Sequence, residues 1–105
     1  MQEYMPPITM DQMLAMVRNP NFKTYVVLGE ESDDSWSLAQ AALNFLPGLQ
    51  ILLVQSEAQA EVRQHFLVSD DHVALIFGRS KTVSQGLSKT EASDFLTVTQ
   101  AISNA

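Results

Sequence analysis

Two short clusters concentrate side chains that are equipped for chemistry. The first is Glu30-Glu31-Ser32-Asp33-Asp34-Ser35, with Trp36 directly after it; the second is Asp70-Asp71-His72. Ser32 or Ser35 as nucleophile, His72 as base and Asp70 or Asp71 as its orienting carboxylate would form the grouping used in acyl transfer. No nucleophile elbow or other hydrolase signature accompanies them. A plainer reading competes, in which Ser32 caps a helix and Asp33 and Asp34 complement its dipole, each contributing about 0.3–1 kcal/mol. That reading prevails, and no residue is assigned a catalytic role.

Asp33, Asp34, Asp70, Asp71 and His72 also form a donor set that suits a hard divalent cation. Neither the ligand spacing of an EF-hand nor that of a His-Glu-x-x-His helix is present. Asp-Asp pairs at the ends of elements are ordinarily solvated turns and caps, and His65 has no second histidine at ligand spacing. No metal and no cofactor is therefore expected. The chain has no cysteine, which rules out a disulfide scaffold, a zinc–thiolate site and a cysteine-ligated iron–sulfur cluster.

The charge balance narrows the partners. Twelve acidic residues stand against six basic ones, for a formal net charge of −6. Arg18, Lys23, Arg63, Arg79, Lys81 and Lys89 are scattered rather than clustered, so binding to nucleic-acid phosphate is not expected. At 105 residues, 46% hydrophobic and 17% charged, the chain reads as a single folded domain over 1–105, with 1–8 as a flexible N-terminus. Apolar runs such as Val73 to Phe77 fall far short of the roughly 20 residues a membrane span needs. The first residues show no basic patch followed by an apolar stretch, so no secretory signal is expected and the cytoplasm is the default compartment.

These residues must be positioned by a regular alternation of elements. Thr9…Gln12, Ser56…Gln59 and Ser88…Glu91 each have the spacing of a capping box, which announces three helix starts. Behind the first, Met10, Met13, Leu14 and Val17 recur at helical spacing until Asn19-Pro20-Asn21. A further helix is predicted from Asp33 to Leu46, with Trp36, Ala39, Leu43 and Leu46 on one stripe. Behind Ser88, the predicted apolar face is Ala92, Phe95, Leu96 and Ile102, with Thr99 in the same stripe. Thr24–Leu28, Gln50–Val54 and Val73–Phe77 read as buried strands, and Thr82–Gly86 as a short, half-buried edge strand after the turn at Gly78–Lys81. Alternating β and α elements predict parallel pairing, and the short last connection predicts an antiparallel hairpin. The expected fold is α/β, a central mixed four-stranded sheet with helices on both faces.

This order resembles thioredoxin without its first strand. Most specific is the C-terminal third: Phe77-Gly78-Arg79-Ser80-Lys81-Thr82-Val83, then Gly86-Leu87-Ser88-Lys89, then Phe95-Leu96. The likeness covers roughly the last four-fifths of the chain. It implies a thioredoxin-like fold in which Ser32-Asp33-Asp34-Ser35 stands where the family has Cys-x-x-Cys. Gln40 falls near the family's helix proline, and His72 at or beside its cis-proline. A cis bond before a non-proline residue costs about 2.5–4 kcal/mol, so the bond before His72 is expected to be trans. Thiol–disulfide exchange needs a thiolate, and the chain has none to offer.

The same resemblance gathers Glu30, Glu31, Asp33, Asp34, Asp70 and Asp71, half of all the acids, at one end of the sheet beside Trp36. Such a rim serves solubility, or it docks a basic segment with an aromatic anchor at hand. The expectation is a redox-inactive binding module or chaperone, not an enzyme. Its contact residues are Glu30, Glu31, Ser32, Asp33, Asp34, Ser35, Trp36, Asp70, Asp71 and His72. In character it is similar to the cysteine-less thioredoxin-like chaperones of hydrogenase maturation, which implies a protein partner with a Lys/Arg-rich segment or a twin-arginine signal peptide. A self-assembling structural subunit, and a small hydrolase using Ser35 or Ser32 with His72, are the alternatives.

Overall fold

A computed structural model describes residues 7–29 and 34–105. Its elements are α1 (Met10–Val17), β1 (Lys23–Val27), α2 (Asp34–Leu43), β2 (Leu49–Leu53), a 3-10 turn (Ser56–Ala58), α3 (Gln59–Phe66), β3 (His72–Phe77), β4 (Val83–Ser88), α4 (Lys89–Ala92) and α5 (Phe95–Ser103). The four strands form one mixed sheet in the order β2-β1-β3-β4. Strict alternation along the strands divides the core into two halves. Tyr25, Val27, Ile51, Leu53, Ala74 and Ile76 face α2, α4 and α5. Val26, Leu28, Leu52, Val54, Leu75 and Phe77 face α1 and α3. Helices therefore cover both faces, and Thr24 to Val27 of β1 and Ala74 to Phe77 of β3 are buried. No helix among the described residues is long and apolar enough to cross a membrane.

Strand direction departs from the alternation rule. β1 and β2 are parallel, but β3 joins the other side of β1 antiparallel, with Thr24 opposite Phe77 and Val27 opposite Ala74. The cause is the path of α3. The Gln59 and Arg63 side chains, about one turn apart, both reach carbonyls where β1 ends. The helix starts at this end and packs on the sheet face through Val62 and Phe66, with Phe66 against Phe77, before the 67–71 segment brings the chain back. The chain re-enters at the end it left, and β3 must run the opposite way. β4 closes the sheet as the expected antiparallel hairpin.

Two of the three predicted capping boxes are present. Thr9 and Gln12, and Ser88 and Glu91, exchange both bonds. At the third, Ser56 starts the 3-10 turn, α3 begins at Gln59, and the Gln59 amide donates to Gly29 and Val54 carbonyls instead. The helix predicted to reach Leu46 stops at Leu43. The last predicted helix is two: Asp94 caps α5 through the Thr97 N–H, interrupting the run after Ala92. That break re-aims the stripe, so Val98, Ala101 and Ile102 are buried while Phe95 and Leu96 are exposed. At the other end of the chain, Ile8 is anchored: its N–H donates to Leu53 O at 2.8 Å, and its carbonyl accepts from Gln55 N–H at 2.9 Å.

Candidate functional site

At the end of the sheet where β1 finishes and β3 begins, the backbone that leads into the first acidic cluster is bonded to the strand that follows the second. Leu28, directly after β1, donates its N–H to Val73 O at 2.8 Å. One residue later, Gly29 leads into the first cluster. The start of β3 is itself the end of the second. Arg63 locks this junction by donating from Nε to His72 O at 3.0 Å and from a terminal guanidinium nitrogen to Leu28 O at 3.3 Å. Gln59 Nε2 adds a bond to Gly29 O at 3.1 Å. Bonds from a charged donor contribute about 1.5–3 kcal/mol each, so one arginine fixes the relative height of the two chain segments.

His72 sits in a bulge. It pairs with Ser88 while Ala74 pairs with Leu87, which leaves Val73 between two successive partners. Bulges re-aim a side chain, and they recur beside binding and catalytic sites. The imidazole lies against Gly86, where a Cβ would come within 2.3 Å of Nδ1. That nitrogen is buried and has no partner among the described residues. Ser88 opens α4 with its box: Glu91 Oε1 accepts the Ser88 N–H at 2.9 Å, and Ser88 Oγ accepts the Glu91 N–H at 3.3 Å. The Ser88 backbone and hydroxyl hold the Glu91 carboxyl below its usual range, with a smaller contribution from the nearby His72.

Of the residues expected to make contact, Glu30, Glu31, Ser32 and Asp33 lie outside the described residues. Asp34 is the first residue of α2. Asp70 and Asp71 are exposed in the turn before β3, and His72 is half-buried. Ser35 and Trp36 are only 4% and 9% exposed, and Trp36 belongs to the core beneath α2. A serine so enclosed gives a substrate little access. No cis peptide occurs among the described residues, so the bond before His72 is trans. No three His, Asp or Glu side chains among them converge as metal ligands.

Sequence reasoning missed Arg63, Gln59, Gly86 and Glu91 as parts of this site. Gln59 and Glu91 carried a signal, the Ser56 and Ser88 boxes, but each spoke of a helix start and not of a part in this junction. A second feature was also missed. Between α1 and α2, along the outer edge of β2, runs a groove of about 340 Å³ walled by Met16, Gln40 and Leu43. No family model, curated protein or solved structure matches the chain.

Proposed function

We propose that this chain is a redox-inactive, thioredoxin-like binding module of the cytoplasm that docks a basic or extended segment of a partner protein at the His72 end of its sheet. One observation carries the reading: the segment entering the first acidic cluster leaves β1 bonded directly to the strand that follows the second. The strand order, with β3 and β4 antiparallel and helices on both faces, supports the likeness to a thioredoxin sheet lacking its first strand. The absence of cysteine supports binding in place of exchange. Exposed Asp70 and Asp71, with Glu91 kept ionised nearby, suit Lys or Arg side chains, including the paired arginines of a twin-arginine signal peptide.

The test is titration of a fluorescent peptide carrying an Arg-Arg pair into the protein and into an Asp70→Lys, Asp71→Lys variant. Exposed ion pairs contribute about 0.2–1 kcal/mol each, so losing two weakens binding roughly 2- to 30-fold. The difference shrinks as salt rises. Equal affinity for both proteins, or a salt-independent one, refutes the docking site.

A further inference from the structure

The two edges of the sheet are built differently. β4 is only partly buried, irregular in register and flanked by Lys81 and Lys89, the usual guards against edge pairing. β2 is Leu49-Gln50-Ile51-Leu52-Leu53, without a charge, a proline or a bulge. Its backbone groups alternate between the two sides. Val54 N–H bonds to β1, whereas Leu53 O and Gln55 N–H bond to Ile8. By that alternation, Gln50 and Leu52 face β1, and the N–H and C=O groups of Leu49 and Ile51 face outward. Among the described residues nothing pairs with them.

We infer that the outer edge of β2 is a self-association surface, on which a second copy of this chain adds its own β2 antiparallel about Gln50. In that register Leu49 of each copy lies opposite Ile51 of the other, and four hydrogen bonds satisfy all the outward groups of both residues. The available lane has the right length. Toward the C-terminus it ends at Ile8, which occupies the place opposite Val54. The incoming strand begins only at Leu49, because the chain turns at Gly48 (φ 72°), and so it veers away before reaching Ile8.

The chain's own N-terminal residues are a poorer occupant. Continuing the Ile8 pairing would put Pro6 opposite the Ile51 carbonyl, with no N–H to donate. Charge favours a second copy here too. Two chains of net charge −6 approach with least repulsion along an edge whose walls, Met16, Gln40 and Leu43, carry no charge. A twofold axis at Gln50 would set α2 beside its mate, and the exposed Leu43 on the groove wall supplies apolar area beyond the strands.

Sedimentation equilibrium and amide hydrogen exchange test this on the full chain. From low micromolar to near-millimolar concentration, the apparent mass should rise from 11.6 kDa toward twice that value. Protection at the Leu49 and Ile51 amides should rise with it, while the β1-facing amides of Gln50 and Leu52 stay protected throughout. Leu43→Lys should return the mass to the monomer value. Protected Gln50 and Leu52 amides show that a variant is folded, and Met16→Lys repeats the test on the other wall should Leu43→Lys fail to fold. A constant monomer mass overturns the proposal, as does a dimer that leaves Leu49 and Ile51 exchanging freely. Protection that ignores dilution but disappears on deleting residues 1–6 overturns it equally, assigning the edge to the chain's own N-terminus.

Discussion

Replacing Tyr25 by phenylalanine should make this protein more stable. Tyr25 lies at the centre of the sheet, fully buried, opposite Ile51 on one side and Ile76 on the other. Its ring fills the core under α2, but its hydroxyl is buried with no partner among the described residues. A buried polar group without a partner costs about 1–3 kcal/mol relative to its hydrated state. Tyr25→Phe keeps the ring and removes that cost, so a gain of about 1 kcal/mol at neutral pH is expected. For a domain of this size the melting temperature then rises by about 4–8 °C.

The pH dependence supplies a second readout with a definite sign. Burial pushes the Tyr25 phenol well above its usual range, so above pH ~10 the unfolded chain releases a proton that the folded one retains. Stability from this group is complete below pH ~10 and falls as the pH rises further. By pH ~11 the wild type loses about 1.4 kcal/mol that the phenylalanine variant keeps. Urea denaturation of both proteins at pH 7, 10 and 11 measures the difference. A less stable variant, or a gap that does not widen with pH, shows that the hydroxyl is well bonded and refutes the reasoning.

Gly86→Ala should cost about 1–3 kcal/mol by driving a methyl group into the His72 ring; thermal melts should show much of the loss recovered in the Gly86→Ala, His72→Ala double variant. Ser88→Ala removes the cap of α4 and should cost about 1 kcal/mol at pH 7. Because the folded Glu91 carboxyl is held below its usual range, its contribution is present above pH ~4.5 and is lost as the pH falls through the folded value. The gap between wild type and Ser88→Ala in acid titrations followed by circular dichroism should accordingly close toward low pH.

Much of this architecture was legible because its strands carry their signals locally. Tyr25-Val26-Val27 and Ile51-Leu52-Leu53 are continuous apolar runs bounded by turn residues, and such runs have few other places to go. Strand direction was not legible, since Val73 to Phe77 would read the same running either way. Direction was set by where α3 lies, and that depends on the Gln59 and Arg63 contacts with distant carbonyls. The split between α4 and α5 was hidden by periodicity. Phe95 and Leu96 fall on the stripe of an unbroken helix, and only Asp94 with Thr97 marks the new start. At the candidate site, His72 stood out by its chemistry. Gly86, which makes room for its ring, is unremarkable until β3 and β4 are paired.

The antiparallel seating of β3 also bears on synthesis. β1 leaves the ribosome early, yet its partner on one side, from Ala74 to Phe77, follows roughly fifty residues later. At 5–20 residues per second this is a wait of roughly 3–10 s. Throughout it, a strand whose last three residues are fully buried in the folded sheet has one flank unclaimed, and the nascent chain must keep that flank from the wrong neighbour.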